Sequence, residues 1–167
     1  MEQVLDKLSG GDLRSIGRAN EVVQEIIDAP EMFGTVFEAI FAEDPVLRMR
    51  CSDVIEKVSA AHPELLQGYK DKLLKEMPAV RQKEVRWHLA QMVTYLKLGK
   101  QEKLAVMDTL LSWIENEGSK IVIVNSLQTL AEFAKQDYQL RPRVVEIIKL
   151  AAETSSPAIV SRGEQAA

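Results

Sequence analysis

Residues 44–58, D-P-V-L-R-M-R-C-S-D-V-I-E-K-V, decide the fold of this chain. An acidic residue and a proline open the stretch. Apolar or small side chains then recur at the i, i+3, i+4, i+7 spacing of one helix face. Those positions are Leu47, Cys51, Val54, Ile55 and Val58. The pattern predicts an amphipathic helix that begins at about residue 44 and buries one side.

The same pattern returns along the chain. Residues 119–133 place a short polar residue before the stripe, residues 156–163 begin it again with Ser-Pro, and residues 12–26 carry a weaker copy. The residues at the equivalent position, spaced 32, 38, 37 and 37 apart, are Ala19, Cys51, Leu89, Ser126 and Gly163. A steady period is typical of a solenoid, in which stacking buries the apolar faces that one helix pair leaves open.

Proline, glycine and short polar residues mark the ends of the predicted helices, and Asp12 is the expected cap of the second one. The predicted helices cover about 2–9, 12–28, 30–42, 44–61, 63–76, 79–97, 100–116, 119–135 and 139–153. We expect an all-α fold, a right-handed α-α superhelix of about four antiparallel helix pairs. The chain would be one domain over 1–167, with repeats at 12–43, 44–77, 78–117 and 118–154 and a partial repeat at 155–167.

Composition agrees with packed helices. Apolar residues make up 46% of the 167 residues and aromatic residues only 5%, whereas a β-sandwich favours β-branched and aromatic residues. The single cysteine excludes an intrachain disulfide. The N-terminus lacks the basic and apolar regions of a signal peptide, and no window approaches the roughly 18 apolar residues of a membrane span. We expect a cytoplasmic protein without a membrane partner.

Charge is unevenly distributed along the chain, although the net charge is only −4. Residues 1–44 hold ten acidic and three basic side chains, a net charge of −7, and residues 70–103 hold nine basic and four acidic ones, a net charge of +5. A basic segment can approach a phosphate backbone. The alternative is a solvated face balanced by carboxylates at helical spacing, and the overall pI near 5.3 is unlike that of a basic DNA-binding domain.

The first helices resemble those of HEAT repeats. An Asp-Pro or Ser-Pro start is followed by an apolar, a small and a large apolar residue, best seen at Asp44-Pro45, Leu47-Arg48, Cys51 and Ile55 and echoed at Val85-Arg86. The resemblance covers about residues 12–167. It implies a scaffold whose second helices line a concave surface for a protein or peptide. The tetratricopeptide pattern is the alternative architecture, but its W-x2-L-G-x2-Y signature is missing.

The resemblance therefore favours a non-enzymatic protein-interaction module. A HEAT-like nucleic-acid-binding protein that uses residues 70–103 is the alternative, and an enzyme comes third. The oligomeric state is not determined by the sequence. The residues expected on the binding surface, which are polar and mixed in charge apart from one exposed tryptophan, are Gln67, Asp71, Lys75, Trp87, Asp108, Ser112, Arg143 and Glu146.

Residues that could carry chemistry are few. His62, His88 and Cys51 do not have the spacing of a zinc site, and the chain has neither a G-x-G-x-x-G nor a Walker motif. We expect Cys51 in the core, His62 in a solvated turn and His88 on a helix surface or edge. Trp113 is expected to pack between repeats. No catalytic residue, metal or cofactor is predicted.

Overall fold

The computed structural model describes residues 4–116 and 118–153. Within these ranges the chain is all-helical and contains no strand. Its α-helices are α1 (Ala19–Asp28), α2 (Phe33–Ala39), α3 (Pro45–Ala61), α4 (Lys70–Glu76), α5 (Lys83–Met92), α6 (Lys100–Asn116), α7 (Lys120–Gln136) and α8 (Arg141–Glu153). Short 3-10 turns lie at Val4–Leu8, Pro30–Met32, Pro63–Leu65, Gln67–Tyr69, Met77–Ala79, Val93–Tyr95 and Tyr138–Leu140. In this part of the chain, no helix combines the length and apolarity needed to cross a membrane.

The predicted all-α fold is thus confirmed. The chain divides into two compact units, Met1–Leu96 and Lys97–Ala167. Four of the five recurring positions, Ala19, Cys51, Leu89 and Ser126, are completely buried. The fifth, Gly163, lies with the rest of the predicted partial repeat outside the described residues.

The first unit is built around α3, which packs against α1, α2 and α5. Asp44 caps this helix by accepting a hydrogen bond from the backbone N–H of Val46 at 2.9 Å, and Pro45 occupies its first turn. All seven positions from Met49 to Ile55 are buried. Because seven residues make about two helical turns, this part of α3 has no solvent face, whereas the sequence pattern predicted one.

Arg50 is the largest polar side chain on the buried part of α3, with 3% of its surface exposed. Its guanidinium donates to carbonyl oxygens of the loop between residues 8 and 15, at distances from 2.5 to 3.4 Å. The acceptors are the carbonyls of Leu8, Ser9, Gly10, Asp12 and Ser15. The loop therefore wraps around one cation, whose hydrogen bonds replace those lost to water.

The wrapped loop explains why α1 begins at Ala19 and not at residue 12. Two glycines in it, Gly11 and Gly17, have φ values of 79° and 58°, a region that side chains rarely adopt. A Cβ at Gly11 would also lie 2.8 Å from Arg50 Nη2. The predicted capping role of Asp12 is wrong, because its carboxylate accepts from the backbone N–H of Arg14 at 2.8 Å in a local turn.

The second unit contains α6, α7 and α8. Helix α7 packs against both of the others, and α6 also contacts α8. Trp113 of α6 and Phe133 of α7 are both buried. The burial of Trp113 agrees with the packing role predicted for it, and its place between repeats stays a prediction.

Replacing Arg50 by Met should release the loop, because one buried and four partly buried carbonyl groups would lose their donor. We expect the free energy of unfolding to fall by about 3 kcal/mol, with faster proteolysis between residues 8 and 17. Urea denaturation and limited proteolysis measure the two effects.

Arg14→Met is the matched control, since the side chain of Arg14 is 90% exposed and pairs with Asp12, two residues earlier in the same loop. It should change the stability by less than about 0.5 kcal/mol. Equal stability losses in the two variants would contradict the role given to Arg50.

Candidate binding surface and buried polar cluster

Helix α4 carries two of the four predicted surface residues that lie in the first unit. Asp71 and Lys75, four residues apart and so on one helix face, are both exposed. Gln67 is different. It is half-buried, and its amide donates to the carbonyls of Pro63 at 2.8 Å and Tyr95 at 2.9 Å. The expectation that Gln67 is an exposed contact residue is wrong, because its side chain connects two turns of the same unit.

Helices α6 and α8 carry the residues predicted in the second unit. Asp108 and Ser112 are exposed on α6, again at a spacing of four. Arg143 and Glu146 are exposed on α8 and form an ion pair of 3.2 Å. Each of these faces is polar and carries charge, as the sequence pattern indicated.

Trp87 is half-buried and not the exposed aromatic that we expected. Its ring stacks on that of His88, with 3.6 Å between centroids and 27° between planes. Among the described residues, the aromatic with a large exposed fraction is Tyr138, at 80%. Its position could have been suspected from the sequence, because Asp137 begins a turn there by accepting from the N–H of Gln139.

Two arginines make the same contact in successive helix pairs of the first unit. Arg48 donates to the carbonyl of Ala42, and Arg86 donates to the carbonyl of Val80, each six residues earlier in the chain. The distances are 3.0 and 2.8 Å. The two arginines are 38 residues apart, so α3 and α5 are held to the loops before them in equivalent ways.

Polar contacts between successive helix pairs also recur at nearly one repeat length. Apart from the bond between Gln67 and the Tyr95 carbonyl, which spans 28 residues, six of these contacts have sequence separations of 34 to 39 residues, close to the spacing of the apolar pattern. They join Lys57 to Asn20, Gln82 to the Pro45 carbonyl, Tyr95 to Glu56, Ser52 to His88 and Lys72 to Glu38 in the first unit, and Lys100 to Gln139 in the second. Neighbouring pairs are thus related by a regular displacement along the sequence.

A buried polar cluster lies between α3 and α5. His88 is 3% exposed, which contradicts the surface or edge position that we predicted for it. Its Nε2 lies 3.4 Å from Asp53 Oδ1, and its Nδ1 lies 2.5 Å from the carbonyl oxygen of Glu84. Asp53 Oδ2 lies 3.0 Å from Lys57 Nζ on the same helix. His62, in contrast, stands in a turn with 42% of its side chain exposed, as expected.

Burial raises the pKa of the Asp53 carboxyl, but the contacts with His88 and Lys57 outweigh burial and hold this pKa below its usual value. Asp53 is therefore a buried carboxylate between two basic groups. The sequence analysis missed this residue, because it falls outside the apolar stripe of α3 and looked like a surface position.

The cluster contains a serine, a histidine and an aspartate, but its geometry does not activate the serine. Ser52 Oγ is completely buried and donates to the carbonyl of Met49 at 2.7 Å. His88 Nδ1, which lies 3.3 Å from Ser52 Oγ, faces the nearer Glu84 carbonyl and must carry a proton to bond it. It cannot then accept the serine proton, as a general base would.

The remaining nucleophile and ligand types offer no further centre. Burial raises the pKa of the Cys51 thiol to about 12, so the reactive thiolate is disfavoured. Over residues 4–116 and 118–153, no three histidine, cysteine or acidic side chains come together as metal ligands would.

No protein-family model, curated protein or solved structure matches the sequence.

Asp53→Asn should lower the free energy of unfolding at pH 7 by about 1 kcal/mol, because it removes a partly screened buried charge contact. The folded-state pKa of Asp53 is below its unfolded value. As far as its own ionisation is concerned, the contribution of Asp53 is therefore complete above about pH 4 and is lost as the pH falls through the folded pKa. The stability difference between wild type and variant should shrink in that acidic range.

Denaturant unfolding at a series of pH values measures this difference, with Asp71→Asn on the exposed face of α4 as the control. A difference for Asp53→Asn that stays constant from neutral to acidic pH would show that its carboxylate charge does not matter.

Proposed function

We propose that this chain is a HEAT-like helical-repeat protein that binds a polypeptide partner and is not an enzyme. The observation that carries the proposal is the regular set of side-chain contacts between successive helix pairs, at separations of 34 to 39 residues. A repeated displacement of helix pairs is what a solenoid requires. The right-handed superhelix and the cytoplasmic location belong to this proposal.

The partner would contact the exposed faces of the second helices. In the first unit α4 offers Asp71 and Lys75. In the second unit α6 offers Asp108 and Ser112, and α8 offers Arg143 with Glu146. Carboxylates, cations and hydroxyls of this kind can pair with the mixed side chains and backbone groups of a polypeptide. A nucleic acid presents mainly phosphate, which favours a surface of one sign.

The alternative is nucleic-acid binding by the basic segment 70–103. Lys75, Arg81 and Lys83 are exposed there and support it. Other basic side chains of the segment are already engaged, since Lys72 pairs with Glu38 and Arg86 bonds the Val80 carbonyl. The ion pair offsets the charge of Lys72, and the carbonyl bond occupies a donor of Arg86. The basic groups left for phosphates are therefore fewer, and the polypeptide partner is the better-supported proposal.

Site-specific photo-cross-linking in cells tests the proposal. A benzophenone side chain at position 71 or 75 should give covalent adducts with a discrete polypeptide, and the same probe at Gln24, an exposed residue of α1, should not. With the partner identified, Asp71→Ala combined with Lys75→Ala should weaken binding by roughly tenfold, and Gln24→Ala should leave it unchanged.

Nuclease treatment separates the two candidate functions. Adducts that disappear with nuclease, together with binding that falls steeply as salt rises, would favour the nucleic-acid alternative. Equal adduct formation at positions 24, 71 and 75 would contradict a binding face on α4.

A further inference from the structure

The His88 ring is enclosed by oxygen atoms at both of its nitrogens. Nδ1 faces the Glu84 carbonyl at 2.5 Å. Nε2 lies 3.4 Å from the Asp53 carboxylate, an ion-pair distance, and makes no hydrogen bond among the described residues. A carbonyl oxygen and a carboxylate oxygen can only accept hydrogen bonds. Each neutral form of the imidazole has one lone pair, which would point at one of these oxygens. Only the doubly protonated ring presents hydrogen to both.

The other surroundings of the ring do not change this assignment. On α3, Ser52 is the further polar neighbour, and its hydroxyl hydrogen is directed to the Met49 carbonyl. Lys57 stands behind Asp53 and is the second cation on the same carboxylate. On α5 itself, Trp87 covers one face of the ring, and the π face of an indole attracts a cation.

We infer that His88 carries a proton on both ring nitrogens when α5 is packed on α3, so that the contact between these two helices responds to pH. Loss of the Nε2 proton leaves a lone pair opposite the Asp53 carboxylate and weakens the contact. The lowered pKa of Asp53 agrees with a cationic neighbour. A buried histidine between two helices is a recognised means of making packing pH-dependent.

This inference goes beyond the proposed function and does not depend on which partner is bound. It concerns the junction of two successive helix pairs, and it holds whether the partner is a polypeptide or a nucleic acid. In an array that binds through several helix pairs, a pH-dependent junction would regulate how firmly neighbouring pairs are held together.

The test is an NMR titration of the full chain with ¹⁵N-labelled histidine, between about pH 5 and pH 8, the interval in which imidazole normally titrates. The chain has two histidines, so His62→Gln assigns both rings. We expect both His88 nitrogens to be protonated at the acidic end. As the pH rises, Nε2 should lose its proton while Nδ1 keeps the one directed at Glu84.

Two variants should move the midpoint of the His88 titration in opposite directions along the pH axis. A general loss of packing would not produce opposite shifts. Asp53→Asn removes the facing carboxylate and should shift the midpoint to lower pH. Lys57→Met removes the competing cation and should shift it to higher pH. His62→Gln should leave it unchanged.

The wild-type spectrum alone can overturn the inference if either variant fails to fold. A His88 ring that stays neutral down to about pH 5 would overturn it, and so would a neutral ring with its proton on Nε2. Failure of Asp53→Asn to lower the midpoint in a folded protein would also overturn it.

Discussion

A helix that is buried on every side cannot use water to satisfy its polar side chains, and this constraint governs the first unit. Helix α3 is buried without interruption from Met49 to Ile55, yet it carries Arg50, Ser52 and Asp53 in that segment. An unpaired polar group in such a place costs several kcal/mol. Ser52 finds its partner within α3, at the Met49 carbonyl. Arg50 and Asp53 find partners in neighbouring elements, and these contacts fix how those elements are arranged.

Arg50 and Asp53, three residues apart in α3, meet this requirement with different neighbouring elements. Arg50 reaches the loop before α1, and Asp53 reaches His88 on α5. The same buried groups thus connect α3 to the preceding helix pair and to the following one. Apolar packing gives no fixed register by itself, whereas directional hydrogen bonds do. This difference explains why the spacing of 34 to 39 residues recurs in side-chain contacts as well as in the apolar pattern.

Helix positions were largely predictable from local signals. The Asp-Pro start of α3 and the spans of α6 and α7 follow from caps, prolines and apolar spacing, which act within a few residues. The start of α1 was not predictable, because the loop before it is shaped by Arg50, at least 35 residues later in the chain. A local pattern contains no information about such a partner.

The candidate surface was predictable only in part, for a similar reason. Helical periodicity assigned four residues correctly to exposed helix faces, namely Asp71, Lys75, Asp108 and Ser112. Gln67 and Trp87 were misjudged because their side chains find partners in other turns and rings. Helical periodicity predicts the face of the helix on which a side chain begins. A long polar or aromatic side chain on an outward face can still fold against a neighbouring group and become half-buried.

The central claim is that α3 and α5 lie side by side in the first unit and are joined through buried polar side chains. The most direct measurement is the nuclear Overhauser effect from the His88 ring protons in the folded chain. The account predicts contacts with the side chain of Ser52, 36 residues away in the sequence. A folded protein whose His88 ring shows contacts only within α5 would contradict it.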